Sequence, residues 1–353
     1  MNNKINNFKI AGKEIGIGQP VFVIAELSGN HNGSLEKAKE MVKTACQAGA
    51  DIIKLQTYTA DTMTIDLNEK WFQVNVNSAW SGKTLHQLYG EAFTPWEWHG
   101  ELEKIAKSYG KPLFSTPFDT TAVDFLEKMN TPGYKIASFE IVDIELLKRV
   151  GQTKKPVIMS RGMASLEEME LAVKTLKENG TKDLAILQCI SSYPALPEEL
   201  NLKMIPDISE RFGVVSGLSD HSLSISAPVA AVALGASIIE KHFIINRKQG
   251  GPDANFSLEP EEFKQMVKQI REAEKAMGQV QYGVGEREKE NIIFRRSLFI
   301  VRDIKQGEGF TRDNLCCIRP GYGLAPKLLP QILGKTATCD IKKGTPLKQE
   351  FIQ

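Results

Sequence analysis

Between Val21 and Gly278, short apolar, β-branched runs alternate eight times with longer amphipathic segments, and no other feature of the 353 residues limits the fold so strongly. The apolar runs cover 21–27, 51–57, 112–118, 133–140, 156–162, 184–193, 214–221 and 237–244. Each is followed by a helical pattern, clearest at 35–49 and 261–278, where apolar residues recur every three or four positions up to a terminal Gly. A strand followed by a helix is a unit that places parallel strands side by side through right-handed crossovers. Eight such units in succession predict an α/β protein of the (β/α)₈ (TIM) barrel class, which typically takes about 250 residues. An open doubly wound sheet is the competing arrangement, disfavoured because no GxGxxG turn follows the first strand.

Two stretches break the alternation. Residues 58–94 are too long for an ordinary βα connection. They carry Trp71, Phe72, Trp80, Tyr89 and Phe93, so they can order themselves over the top of a barrel, as a substrate lid or as a loop packing its own aromatics. After Gly278 the helical pattern ends at Gly283–Gly285, and a new apolar run begins at Arg295. The similar strings Asp303-Ile-Lys-Gln-Gly307 and Asp340-Ile-Lys-Lys-Gly344 each resemble a strand ending in a Gly turn. The expected organisation is therefore a barrel over 1–283 and a small strand-rich domain over 286–353.

The composition excludes several classes. A net charge of +1 provides no general field for nucleic acid or an anionic membrane, so any anion site has to be local. The first ten residues lack the apolar segment of a secretory signal, and no apolar run approaches the roughly 18 residues of a membrane span. The five cysteines (Cys46, Cys189, Cys316, Cys317, Cys339) form no CxxC pair and read as reduced thiols of a cytoplasmic protein.

In barrel enzymes the chemistry sits at the C-terminal ends of the strands, and there this sequence places polar residues in every unit. They are Glu26 in the first; Lys54 and Gln56 in the second; Ser115, Thr116 and Asp119 in the third; Lys135, Ser138 and Glu140 in the fourth. Ser160 and Arg161, then Ser191, Ser192 and Tyr193, then Ser219, Asp220 and His221, and finally Glu240 and His242 complete the ring. Inward charge is costly in a barrel unless it is used or paired. Residues two apart on a strand share a face, so Glu240 and His242 point one way and Lys241 the other. His221 and His242 end neighbouring strands and can reach one divalent cation, or be two hydrogen-bonded core histidines. Lys54 and Lys135 interrupt apolar strands, and each needs an anionic ligand, an internal carboxylate, or a Schiff-base role of the kind barrel aldolases use. His31 lies in the loop after the first strand, whereas His86 and His99 suit surface or capping roles.

These residues carry a resemblance over nearly the whole chain. The motifs Ala25-Glu26-Leu-Ser-Gly-Asn30-His31-Asn-Gly33, Ile53-Lys54-Leu-Gln56-Thr57, Ser115-Thr116-Pro-Phe118 and Tyr134-Lys135-Ile-Ala-Ser138 resemble the sialic acid synthase family of phosphoenolpyruvate-condensing enzymes. So do Gly217-Leu-Ser219-Asp220-His221, Glu240-Lys-His242-Phe and Gly251-Pro252-Asp253, while the tail, with Ile318-Arg319-Pro320-Gly321, resembles the family's antifreeze-like (SAF) domain. The resemblance implies a Mn²⁺ or Mg²⁺ ion on His221 and His242. It puts Lys54, Thr116, Lys135, Ser138, Ser160 and Ser219 around phosphoenolpyruvate, and Glu26, Gln56, Tyr193, Glu240 and Asp253 on an amino sugar and the proton transfers. It also implies a homodimer with exchanged C-terminal domains, in which Arg319 reaches the sugar in the second subunit's barrel. Residues 58–62, 80–89, 94–99 and 191–194 resemble the subgroup whose sugar is a 2,4-diacetamido-trideoxy hexose, with N-acetylmannosamine and the legionaminic acid precursor as alternatives. Two positions depart from the pattern. Arg161 stands where the family commonly has Thr, and Ser191 where sialic acid synthases commonly have Asn. A Schiff-base aldolase and a non-catalytic sugar- or ice-binding protein are the remaining readings.

Overall fold

The fold is that of a computed structural model, which describes residues 5–74 and 81–353; Trp80, one of the expected covering aromatics, lies outside the described residues. The chain divides into two compact units, Met1–Gly278 and Gln279–Gln353. The first opens with a hairpin, β1 (Phe8–Ile10) and β2 (Lys13–Ile15). Eight parallel strands then close in chain order: β3 (Phe22–Glu26), β4 (Ile52–Thr57), β5 (Leu113–Pro117), β6 (Tyr134–Ile136), β7 (Val157–Ser160), β8 (Leu184–Cys189), β9 (Val215–Asp220) and β10 (Ile238–His242). β10 pairs with β3 in register from Ile238↔Phe22 to His242↔Glu26, which closes the barrel.

The period-2 alternation of each strand sorts its residues. Val23, Ala25, Ile53, Leu55, Leu218 and Ile239 turn outward and join buried helix residues such as Met41, Leu102, Phe263 and Met266. A second outer core, around Tyr134, Ile136, Val157, Met159 and Leu176, covers the opposite side. The inward residues change character along the axis. At the N-terminal end Phe22, Ile24, Ile52, Phe114, Ile158, Leu187, Val215 and Ile238 pack with Phe8, Ile10 and Ile15 of the hairpin, forming a dry plug. Nothing in the sequence pattern announces this hairpin, because two three-residue strands are too short to display a period. One or two positions further along the same inward faces stand Glu26, Lys54, Thr116, Lys135, Ser160, Ser219, Glu240 and His242.

Local signals hold the helices in place. Ser34 caps the helix Leu35–Gln47 through the Lys37 amide, Asp119 caps Thr120–Lys128, Asp143 caps Ile144–Gln152, and Ser165 with Glu168 forms a capping box on Leu166–Glu178. The described parts of the long second connection contain two short helices, Ala60–Met63 and Leu85–Ala92, each started by a Thr capping box. Among the described residues no helix is long and apolar enough to cross a membrane, and the five cysteines form no disulfide.

Some expected strands end early. β6 stops at Ile136, so Ser138 lies beyond it and Glu140 opens a 3₁₀ turn, Glu140–Val142. β8 stops at Cys189, which leaves Ser191, Ser192 and Tyr193 in the following loop. Polar residues past a strand end lose the ladder bonds that would keep them extended, and the chain turns over the mouth instead.

In the second unit, β11 (Ser297–Ile300) pairs antiparallel with β12 (Leu315–Ile318) over a core of Leu298, Ile300, Ile304, Phe310, Leu315, Ile332 and Ile341. The two similar strings are not separate strands. Ile304 and Ile341 exchange both backbone hydrogen bonds, Asp340 receives Lys305 at 2.8 Å, and Asp303 receives Lys342 at 3.0 Å. The repeat is a pair of turns that bond to each other reciprocally, Asp340 also accepting the Gln306 amide and Asp303 the Lys343 amide.

Gly217 sits inward on β9 where a methyl group would meet the Ile238 carbonyl oxygen at 2.3 Å and Leu187 Cδ2 at 2.8 Å. Gly217→Ala therefore forces β9 and β10 apart and lowers stability by about 2 kcal/mol, read as a Tm several degrees below the parent's in a thermal melt.

Candidate active site

The C-terminal mouth of the barrel holds a cavity of about 390 Å³, within the range of small-molecule sites. Its floor is a buried polar cluster centred on Glu240. One oxygen, Oε1, receives Lys135 Nζ at 2.7 Å, Lys54 Nζ at 2.9 Å and Ser219 Oγ at 3.0 Å. Lys54 also pairs with Glu26 Oε2, while Glu26 Oε1 accepts the Ser28 amide at 3.0 Å. The two lysines thus have internal carboxylate partners, the second of the roles open to them in the sequence. Both remain on the cavity wall, so an arriving anion meets them already positioned. Burial, the largest influence, pushes the Lys54 ammonium down to about 7. The two neighbouring lysines hold the Glu240 carboxyl well below the usual range, outweighing the cost of its burial.

Around this floor, hydroxyl groups wait for a partner. Thr116 Oγ1 and Ser160 Oγ are buried and make no hydrogen bond. Ser138 accepts Ser191 Oγ at 3.0 Å, so the residue at the departing position 191 orients a neighbour in the cavity. Arg161 turns away: its Nε donates to Gln188 Oε1 at 2.7 Å and its Nη1 to the Ala164 carbonyl. The Arg161 departure therefore leaves this part of the cavity to Ser160.

His221 and His242 face each other with ring centroids 5.2 Å apart. His221 Nδ1 lies 2.8 Å from the Ile190 carbonyl oxygen, so that nitrogen carries a proton and Nε2 is the one left for a cation. His242 Nδ1 is buried without a hydrogen-bond partner. Burial, helped by His221, pushes His242 well below 6.5 and keeps it neutral. Burial works to lower His221 as well, but its contacts with Cys189 and the Ile190 carbonyl outweigh that and raise it above its ordinary value. A divalent cation held by the pair would therefore displace a proton from the His221 ring. Among the described residues no group of three or more His, Cys, Asp or Glu side chains is arranged to hold a metal, so water and substrate oxygens would have to complete the shell. Phe256 and Tyr193 pack against the pair, Phe256 4.9 Å from His242 and Tyr193 4.6 Å from His221. Phe256 lies in a 3₁₀ turn with no periodic signal, so nothing in the sequence marked it.

On the remaining side Asp253 accepts Ser28 Oγ, which also receives Gln56 Nε2 at 3.2 Å. Burial raises the Asp253 carboxyl above its ordinary value. Met63, Val74, Leu85, Leu88, Ala92 and Phe118 complete the cavity with an apolar wall. His31 is not part of it: Nδ1 accepts the Gly33 amide, Nε2 lies 3.1 Å from Thr94 Oγ1, and burial pushes the ring down to about 4, so it staples the first loop to the second. His99, buried at a helix start, bonds Thr57, while His86 pairs with Asp61. Arg319 is exposed on the second unit, whereas the lining residues all belong to the first.

This fold and site define a barrel enzyme whose mouth sets two buried lysines beside a pair of imidazoles. Comparison with known proteins narrows the class. The NeuB family profile matches residues 41–282 and the SAF domain profile residues 295–353. The chain is 44% identical over 333 residues to a pseudaminic acid synthase of Campylobacter jejuni, covering 94% of this chain and 97% of that protein. It is 41% identical over 336 residues to a pseudaminic acid synthase of Helicobacter pylori, covering 95% and 98%. A crystal structure of N-acetylneuraminic acid synthetase from Leptospira borgpetersenii, in complex with citrate, superposes with a TM-score of 0.73 at 31% identity over 82% of this chain and 95% of that one. The chain belongs to the NeuB family.

Glu140, to which the motifs assign no role, lines the cavity with its Oε2 buried and unbonded. Burial raises its carboxyl from 4.5 to about 7. Between those values the folded state holds a proton that the unfolded chain has lost, so stability falls as pH rises through the window, and the full cost is present above 7. Glu140→Gln removes that cost. Urea unfolding should show the variant on the order of 2 kcal/mol more stable than the parent at pH 8 and no different at pH 4.

Proposed function

We propose that the chain is a pseudaminic acid synthase, a transferase that joins phosphoenolpyruvate to the open-chain aldehyde of 2,4-diacetamido-2,4,6-trideoxy-altrose and releases phosphate. The observation that carries this reading is the meeting, in one cavity, of two buried lysines, unpartnered hydroxyls and the His221–His242 pair. A metal-independent Schiff-base aldolase needs none of the second or third.

Lys54 and Lys135 balance the anionic charge of phosphoenolpyruvate, Thr116, Ser138 and Ser160 donate to its oxygens, and Ser219 stands beside it with its proton on Glu240. A Mn²⁺ or Mg²⁺ ion held by His221 and His242 would act as a Lewis acid on the sugar's aldehyde. The residues below fix the enol ester so that its methylene carbon lies over that aldehyde. Carbon–carbon bond formation leaves positive charge on the carbon bearing phosphate, and Glu26 takes a proton from the water that adds there. The C–O bond to phosphate then breaks. Gln56, Tyr193, Glu240 and Asp253 hold the sugar and serve the remaining proton transfers. Met63, Leu85, Leu88 and Phe118 offer an apolar wall to the methyl groups of a 6-deoxy, doubly N-acetylated sugar. That wall favours this substrate over N-acetylmannosamine, which ends in a hydroxymethyl group.

The same reading makes the protein a cytoplasmic homodimer with exchanged C-terminal domains, Arg319 reaching the sugar of the second subunit. It is supported by exposed apolar residues on loops that follow barrel strands, Phe139, Met163 and Leu223, and by exposed Phe294 and Tyr322 on the unit that carries Arg319.

Phosphate release from phosphoenolpyruvate should occur with Mn²⁺ and the altrose sugar, stop on adding EDTA, and fall at least about 100-fold in the double variant His221→Ala/His242→Ala. Release with N-acetylmannosamine or the legionaminic acid precursor instead would keep the family and move the substrate. No release with any of them would favour a sugar-binding role. A second measurement tests the anion site. An anion beside Lys54 raises its pKa from about 7, so phosphoenolpyruvate binding at pH 8 should take up protons. Calorimetry in two buffers of different ionisation enthalpy reads that uptake, and Lys54→Met should abolish it.

A further inference from the structure

The face of β9 and β10 that turns away from the cavity carries a second ion pair. Asp220 and Lys241 are register partners on these strands, both side chains are 0% exposed, and Nζ lies 2.5 Å from Oδ2. Lys241 also donates to the Ser222 and Ser224 carbonyls, the latter at 3.2 Å, which uses all three ammonium protons. Asp220 Oδ1 accepts the Ser222 amide at 2.8 Å. His221 therefore stands between two residues, Asp220 and Ser222, that are both tied to one buried ammonium. The alternation that sends Lys241 outward is the one that sends Glu240 and His242 inward, so the pair sits behind the two imidazoles at their own level.

A buried ion pair seldom adds stability beyond what a well-packed apolar pair of the same volume provides. Apolar side chains could hold β9 against β10, but they could not bind two carbonyls of the loop that leaves β9. We propose that Lys241 is a positioning residue: by binding Asp220, Ser222 and Ser224 it fixes the turn that aims His221 at His242. The inference rests on the proposed role of the two histidines as ligands of a divalent cation. Lys241 touches neither substrate nor cation; it acts through the loop backbone, with the Nδ1–H···O=C bond to Ile190 as the second restraint on the ring.

The double variant Asp220→Leu/Lys241→Met tests this, because it leaves no unpaired charge behind. Asp220→Asn/Lys241→Gln provides a second neutral pair in case the first does not fold. The chain has five histidines, so ring ¹⁵N–¹H spectra of the metal-free protein can follow His221 directly. In the parent its Nδ1–H signal should be slowly exchanging. In a variant whose circular dichroism matches the parent's, that signal should be lost and Mn²⁺ affinity, read from the free-ion electron paramagnetic resonance signal, should fall roughly 10- to 100-fold. A folded variant that keeps the His221 signal and the parent's affinity overturns the proposal. Loss of the signal in the variants, with a parent that binds no Mn²⁺, would uphold Lys241 as the positioning residue and overturn the cation role of the histidines instead.

Discussion

Glu240 is the charge around which the interior of this barrel is organised. Two lysines and a serine converge on one of its oxygens, and Glu26, paired with Lys54, supplies the second negative charge of the cluster. Without those carboxylates, Lys54 and Lys135 would be two like charges confined beside each other in a dry lumen, at a cost of several kcal/mol each. With them, the cluster is close to neutral and the ammonium groups stand at the cavity surface. The floor is thereby prepared for a ligand with more negative charge than the protein can supply itself. Because Glu240 and His242 share one face of β10, the strand that sets the lysines also sets one of the imidazoles.

The axis of the barrel separates two tasks. The N-terminal half of the lumen is filled by isoleucines, phenylalanines and the hairpin β1–β2, and that half carries stability. Among the described residues, the C-terminal half holds most of the buried side-chain polar atoms that lack a hydrogen bond, among them Thr116 Oγ1, Ser160 Oγ and His242 Nδ1. Unsatisfied groups are costly, and they are borne where a ligand can satisfy them. The outward faces follow the same division. They are apolar along most of their length and carry polar residues towards the C-terminal end, where Thr57 bonds His99 and Ser115, Gln188 bonds Arg161, and Asp220 pairs with Lys241.

Much of this arrangement could be read from the linear pattern. Eight period-2 runs separated by helical segments specify a closed parallel sheet, and a polar residue at the end of each run marks the mouth. That Glu240 and His242 point inward while Lys241 points outward follows from alternation alone, and the structure agrees at all three positions. The strand ends were less legible. Ser138, Glu140 and Tyr193 fall in segments that look extended in sequence but turn over the cavity, because strand length depends on what the neighbouring strand offers to pair with. His31 and His99 illustrate the converse. Both are buried histidines near the mouth, and each is consumed by a neighbouring threonine.

The sequence by itself determined the architecture, the end of the barrel where chemistry occurs and the family of residues gathered there, because period and order along the chain encode which face and which rim a side chain joins. Tertiary structure decided which of those residues are partners. Lys54 and Lys135 meet one carboxylate more than 100 residues from either, Arg161 turns away to Gln188, and Phe256 closes over the imidazoles. Contacts of that kind depend on closing the barrel, which brings β10 beside β3 and sets distances between strands that no local pattern records.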